Sequence, residues 1–259
     1  MVSIPPEGMK RYQAFVAYDG TDFHGFAPNP GVETIGGRIR SSLEKVLGNE
    51  TKITCAGRTD AGVHAEGQVI SFDAEPVNEK QLEKSLNQLC SPHISIHSLK
   101  ETDPRFDARF SAKSRTYRYR VLNQNYLDPF LQRFVWHVRD RLDVYSMQEA
   151  TSLLIGEHDF SSFCRKRIVK INNSKIETSL VREIQSLEIL QKEANIIEIW
   201  VTATSFCHQM VRSITGTLVD VGLGRIGTNK VATILAEKDR NAAGRVAPPQ
   251  GLTLMEVAY

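Results

Sequence analysis

Residues 186–201, SLEILQKEANIIEIWV, decide the fold class. Ser186–Leu190 and Ile196–Val201 read as two strands joined by a short polar turn. So short a connection favours antiparallel neighbours, because parallel ones need a long crossover. Elsewhere strands and helices interleave. The close pair at 186–201 therefore favours an α+β fold over a doubly wound parallel sheet.

Downstream of this pair, Phe206–Val221 reads as a long amphipathic helix, Asn229–Ala236 as a short one and Leu252–Ala258 as a closing strand. Upstream, Thr116–Leu122 (TYRYRVL) alternates with period two, Tyr117, Tyr119 and Val121 on one face and Arg118 and Arg120 on the other. Val144–Leu154 is a helix expected to end at Gly156. The N-terminal part opens with a strand, Tyr12–Tyr18, and a loop from Gly20 to Gly31. A helix over Thr34–Leu47 follows, with Ile35, Ile39, Leu43, Val46 and Leu47 on one face and Gly48 at its stop. Lys52–Cys55 and Gln68–Phe72 are strands, Asn78–Leu89 a helix, and Ile94 and Ile96 belong to a further strand. Two halves of similar element order meet near residue 110, which suits a repeated split-βαβ unit. The expected division is 1–109 and 110–259.

At 259 residues the chain has room for one to two domains. Hydrophobic residues at 41% and charged ones at 24% exclude long disorder, collagen and coiled coil. The formal net charge of +2 is uninformative about nucleic acid, since distribution outweighs the sum. Arg105, Arg109, Lys113, Arg115, Arg118 and Arg120 are opposed in their stretch only by Asp107 and interleave with Phe106, Phe110, Tyr117 and Tyr119. Arg165, Lys166, Arg167 and Lys170 make a second cluster, and Arg133, Arg139 and Arg141 a looser third. Such groups neutralise phosphates and stack on bases; equally, charge runs are often plain solvated faces. Cys55, Cys90, Cys164 and Cys207 include no C-x-x-C pair and are too few for a disulfide scaffold, so reduced thiols are expected. Met1–Lys10 lacks the apolar stretch of a signal peptide, and no run approaches about 18 apolar residues. A cytoplasmic protein without a membrane span is expected.

Several motifs invite chemistry and read better as structure. Gly222-x-Gly224-x-x-Gly227 has the letters of a dinucleotide fingerprint but follows a helix rather than a strand, which makes it a helix stop and turn. His93 and His97 flank alternating Ile94 and Ile96, a strand context without a carboxylate, so no metal is expected there. Glu157-His158-Asp159 after Gly156 looks like turn or cap chemistry. Neither a G-x-S-x-G elbow nor a Walker A sequence occurs. Gly57-Arg58-Thr59-Asp60-Ala61-Gly62-Val63-His64-Ala65 differs. Its glycines let a ligand approach the backbone. A nearby guanidinium favours a carboxylate anion, which can act as nucleophile or base. The alternative is a turn capped by Asp60, with Arg58 as its salt-bridge partner.

At this motif the chain resembles the TruA family of tRNA pseudouridine synthases. The likeness extends to AYDGTDFHG (17–25), FDARFSAKSRTYRYRV (106–121), GEHDFSSF (156–163), SFCHQMVRSITGTLVDVG (205–222) and APPQGLTL (247–254), in family order. It implies two ferredoxin-like halves sharing a central, mostly antiparallel sheet with helices on one side, and Asp60 in the cleft between them. It implies an isomerase that breaks the N1–C1′ bond of uridine, turns the uracil and joins C5 to C1′, with neither cofactor nor metal. Asp60 would be the catalytic carboxylate, adding to the sugar or the base or removing the 2′ proton. Tyr117 would stack on the target base, Arg212 pair with Asp60, Arg58 contact the RNA and hold the flipped nucleotide, and Leu252 line the uracil pocket. The implied partners are tRNA, modified at positions 38, 39 and 40 of the anticodon arm, and a second copy in a homodimer. Phe26 and Ala27 stand where the family usually has Trp-Gln, Gln209 where an aromatic or histidine is common, and Arg245 where a threonine is usual.

Overall fold

The structure, a computed structural model, describes residues 4–165, 168–171 and 174–259. The chain forms two compact units, Met1–Arg115 with Thr253–Tyr259, and Thr116–Leu252. This division differs from contiguous halves at 109/110. The chain's last strand returns to the first unit, where Thr253 and Leu254 pair in parallel with His64 and Ala65.

In the first unit the elements are β1 (Lys10–Tyr18), α1 (Ile35–Leu47), β2 (Ile53–Cys55), β3 (His64–Ala74), α2 (Glu79–Cys90) and β4 (Ile94–Glu101). β1 lies between β4 and β3, antiparallel to both, and β2 is antiparallel to β3. That is the split-βαβ arrangement expected of a ferredoxin-like unit. Thr34 caps α1 by accepting from the Gly37 N–H, and Gly48 ends it at a left-handed φ of 77°. Ile35, Ile39 and Leu43 are buried as the periodicity demands, but Val46, assigned to the same face, is exposed. α1 and α2 pack together, so both lie on one side of the sheet. α2 is tied to β4 by Asn87, whose side chain accepts from the Ile96 N–H and donates to the Ile96 carbonyl.

The second unit takes up the chain within β5 (Ser114–Asn123). It continues through β6 (Trp136–Val138), α3 (Val144–Thr151), β7 (Gly156–Asp159), β8 (Ile168–Ile171), β9 (Ser174–Glu177), β10 (Val181–Gln191), β11 (Ile196–Ala203), α4 (Met210–Gly222) and α5 (Lys230–Glu237). The strand order is β5-β11-β10-β7, and β8 and β9 form a separate antiparallel pair. The stretch 186–201 is the antiparallel β10–β11 hairpin, with Leu187 opposite Val201 and Ile189 opposite Ile199. Its turn places Ala194 and Asn195 at φ of 56° and 57°. Asn tolerates that region; alanine holds it at some cost. Short β6, parallel to β5, and β7 escaped the sequence reading because three or four residues carry too little periodicity. α3 ends at Thr151 and runs on as a 3₁₀ turn, Ser152–Leu154. α4 begins at Met210 rather than Phe206 because Gln209 sits at φ 65°, outside the helical region. Nearly every residue of α4 is buried, as in a helix enclosed on all sides. After it comes β12 (Leu252–Ala258), the strand that returns to the first unit.

Two expectations need correction. Cys164 and Cys207 are joined by a disulfide, their Cα atoms 5.8 Å apart, while Cys55 and Cys90 are free. A bridge spanning 43 residues has no local motif to announce it. The first basic cluster is also not one surface. Arg115 is buried and donates to the carbonyls of Ala56, Arg109 and Ala112. Arg118 and Arg120 flank buried Glu198, at 4.0 and 3.7 Å from its Oε1. Only Arg105, Arg109 and Lys113 are exposed. In the second cluster Arg165 is exposed and Lys166, Arg167 and Lys170 lie outside the described side chains.

Of the motifs read as structure, Glu157–Asp159, expected in a turn, lies instead in strand β7, paired with Val181–Glu183. α4 ends at Gly222, and Gly224 turns the chain at φ 69°. His97 stacks on Phe15 and His93 meets Phe23 edge-on. Asp159 accepts from the N–H and hydroxyl of Ser161. No cluster of metal-ligating side chains occurs among the described residues, and none of their helices is long and apolar enough to cross a membrane.

Candidate active site

The Asp60 loop is built where β2 leaves β3. Cys55 is the last paired residue of β2, opposite Ile70, and one further backbone bond joins the Ala56 N–H to the Val69 carbonyl. Beyond that the side chain of Gln68 replaces the backbone. Its Oε1 accepts from the Gly57 N–H at 3.2 Å and its Nε2 donates to the Gly57 carbonyl at 2.6 Å. Thr59 is held from two directions. Its hydroxyl is 2.8 Å from the Tyr18 hydroxyl, and its carbonyl accepts from the Phe26 N–H at 3.1 Å. The Val63 N–H then donates to the Asp60 carbonyl, and Gly62 at φ 76° completes the reversal as glycine does at the third position of a type II turn.

The opening loop packs directly on this turn. A side chain at Gly25 would meet the Thr59 carbonyl at 2.8 Å, and one at Gly20 the Val63 carbonyl at 2.0 Å, so neither position admits a Cβ. Phe26 is buried beside Tyr18. The departure at Phe26 is therefore a matter of core packing. Buried His64 accepts from the Gly20 N–H through Nδ1, fixing the same loop from the far end of the motif. Asp60 is half-buried and Arg58 exposed.

Tyr117, Arg212 and Leu252 belong to the second unit. Tyr117 is buried, with Phe206 edge-on against its ring at 5.2 Å. Arg212, in the first turn of α4, donates from Nε to the Ala247 carbonyl at 2.8 Å, while the Ala247 N–H returns to the Arg212 carbonyl at 3.0 Å. The following residues wrap Tyr119. Its hydroxyl donates to the Pro248 carbonyl, and Gly251 lies so close that an added Cβ would meet the ring at 2.5 Å. Buried Leu252 follows directly. Arg212 and Leu252 are thus both anchored to the segment 247–252, with Tyr119 as its support. Burial pushes the Tyr119 phenol far above its ordinary range, against the opposing charges of Arg212 and Arg245, so it stays a proton donor. Arg245, the family departure, lies over the Trp136 ring at 4.6 Å, a cation–π contact in place of a threonine.

A family model described as tRNA pseudouridine synthase matches residues 14–111 and 150–259, which include Arg58, Asp60, Arg212 and Leu252 but not Tyr117. The chain belongs to the tRNA pseudouridine synthase A family. "tRNA pseudouridine synthase A" of Brevibacillus brevis is 41% identical over 254 residues, covering 97% of this chain and 100% of the relative. Its namesake in Listeria innocua is 38% identical with the same coverage, as is "tRNA pseudouridine synthase A 2" of Bacillus anthracis. A solved Cbf5–Nop10–Gar1 complex is 11% identical at a TM-score of 0.36, covering 94% of this chain and 48% of that one. As a member of this pseudouridine synthase family the chain is an isomerase.

Residues that the sequence reading passed over do much of the holding: Gln68, Tyr18 and Thr59 in the first unit, Tyr119 and Phe206 in the second. Gln68 alone carried a signal, as the one amide side chain of β3. A cavity of about 750 Å³ among Asn123, Arg139, Arg141, Asn195 and their neighbours includes none of the candidate residues.

Proposed function

We propose that the chain isomerises uridine to pseudouridine in tRNA, at positions 38, 39 and 40 of the anticodon arm, with Asp60 as the catalytic carboxylate. The observation that carries this reading is the Asp60 loop itself. A lone aspartate stands on a tight glycine turn whose backbone is tied on both sides of Arg58, at Gly57 by Gln68 and at the Thr59 carbonyl by the Phe26 N–H. That suits a reaction in which one carboxylate must meet one reacting centre reproducibly. A glycosidase would need a second carboxylate across the bond, and the motif supplies one.

The roles divide by chemistry. The target base leaves its stack, at a cost of a few kcal/mol that stacking on an aromatic ring offsets. Tyr117, steadied by Phe206, is that ring. Leu252 offers the uracil an apolar wall, and a wall that excludes water lets the detached base be recaptured. Exposed Arg58 grips the flipped nucleotide through its phosphate. The enzyme works without metal or cofactor, in the cytoplasm, as a homodimer on which one tRNA lies across both subunits.

Transfer RNA tritiated at uracil C5 tests this. Wild-type enzyme should release tritium as C5 bonds to C1′, and Asp60→Ala should not. Equal release by both would remove Asp60 from the chemistry; no release by either would overturn the enzymatic reading. Mapping pseudouridine in the product checks positions 38, 39 and 40.

A further inference from the structure

We propose that Gln68 is the positioning residue of the Asp60 loop, acting as a side-chain substitute for the missing β-ladder rung that would otherwise hold Gly57. The inference rests on Asp60 being the catalytic carboxylate and extends it to what fixes that carboxylate in space.

The register shows why a substitute is needed. Ile53, Thr54 and Cys55 pair with Phe72, Ser71 and Ile70. One backbone bond later, from Ala56 to Val69, the loop must rise off the sheet to present Asp60. Gly57, next in register, would lose both backbone partners as the loop lifts. Gln68 restores both from its side chain, with a donor and an acceptor on one planar amide. Its Oε1 also accepts from the Val69 N–H, and its Nε2 lies 3.5 Å from the Tyr18 hydroxyl that holds Thr59. The amide is completely buried, so water cannot take over these bonds. Gly57 and Thr59 are therefore fixed by a coupled pair of interior side chains, and Asp60 follows immediately. A displacement of about 1 Å at a reacting group can cost on the order of a hundredfold in rate.

Single-turnover tritium release separates positioning from mere stability. Gln68→Met keeps length and loses the amide. It should slow the chemical step about ten- to a hundredfold while tRNA affinity stays within about twofold of wild type. Gln68→Glu gives a second readout. A protonated carboxyl presents one O–H donor and one acceptor, as the amide does; the carboxylate presents only acceptors. Burial favours the neutral form. The rate of Gln68→Glu relative to wild type should therefore rise as pH falls from about 8 to 6. A Gln68→Met enzyme at wild-type single-turnover rate would overturn the proposal. If that variant does not fold, a pH-independent Gln68→Glu to wild-type ratio would do so instead. Asp60→Ala run alongside keeps the two readings apart. An active Asp60→Ala removes the catalytic assignment; an inactive Asp60→Ala beside a full-rate Gln68→Met removes only the role of Gln68.

Discussion

In the loop 57–63, the side chains that hold the turn come from strands elsewhere in the unit: Gln68 of β3 bonds the Gly57 backbone and Tyr18 of β1 the Thr59 hydroxyl. In the basic stretch leading into β5 the holding is done by the motif's own cations. Arg115 caps carbonyls at Ala56, Arg109 and Ala112, and Arg118 and Arg120 flank Glu198. The loop thus leaves Arg58 exposed and Asp60 half-buried, whereas the stretch commits half of its cations to folding. Density of a residue type is therefore a poor guide to function when the fold can consume that type.

The largest effect expected from this contrast is in Arg115. Arg115→Ala removes charge-assisted bonds to three carbonyls at a buried site. At roughly 1.5–3 kcal/mol for such a bond, with partial rescue by water, the net loss is about 3 kcal/mol. The melting temperature should then fall by roughly 6–12 °C. Exposed Arg109→Ala should stay within about 0.5 kcal/mol. Thermal denaturation of the pair checks this, and equal melting would break the distinction between consumed and free cations.

Next in size is Glu198→Ala. It removes the carboxylate beside two guanidinia whose side chains are 18% and 26% exposed, and the acceptor of the Trp200 indole N–H at 3.0 Å. Breaking a fully buried pair costs about 3–5 kcal/mol. Partial solvation of these arginines lowers the expected loss to about 2 kcal/mol. Glu198→Gln, which keeps an acceptor for Trp200, should lose less by urea denaturation.

What was legible in the sequence follows the range of the interactions. α1 could be read from Thr34 to Gly48 because its cap, periodicity and stop all lie within fifteen residues of chain. The β10–β11 hairpin was legible for the same reason. The start of α4 was not, since Gln209 takes its left-handed φ in a context that helical periodicity ignores. The Cys164–Cys207 pair and the ion group at Glu198 were invisible, each joining segments distant in sequence; the Gln68 amide on Gly57, only 11 residues apart, was missed because a side chain bonding a backbone leaves no periodicity. At the site, Asp60 and Arg58 stood out by local pattern. Tyr117, Arg212 and Leu252 came by resemblance alone, because nothing local distinguishes a stacking tyrosine from a core one.

The remaining exposed cations give a smaller and different effect. Arg105→Ala combined with Arg109→Ala should leave stability within about 0.5 kcal/mol of wild type. Tritium release at saturating tRNA should be unchanged. Binding should weaken and the salt dependence flatten, by about 0.9 in the log–log slope for each duplex phosphate no longer neutralised. An unchanged slope in filter binding across a salt series would mean that these cations, too, face solvent only.

The smallest of the expected losses at buried groups is at Tyr119, on the face of β5 opposite Arg118 and Arg120. Tyr119→Phe keeps the ring that Gly251 packs against and its edge-on approach to Trp136 at 6.2 Å. It removes one bond, of 2.8 Å, to the Pro248 carbonyl. A neutral hydrogen bond removed at a buried site costs about 1 kcal/mol, or roughly 2–4 °C in melting temperature. Because the phenol stays protonated, that loss should not vary between about pH 6 and 9, within the neutral range of a tyrosine. A much larger loss, accompanied by weaker uridine turnover, would instead make the Pro248 bond the clasp that sets Leu252, and give this strand a positioning side chain comparable to Gln68.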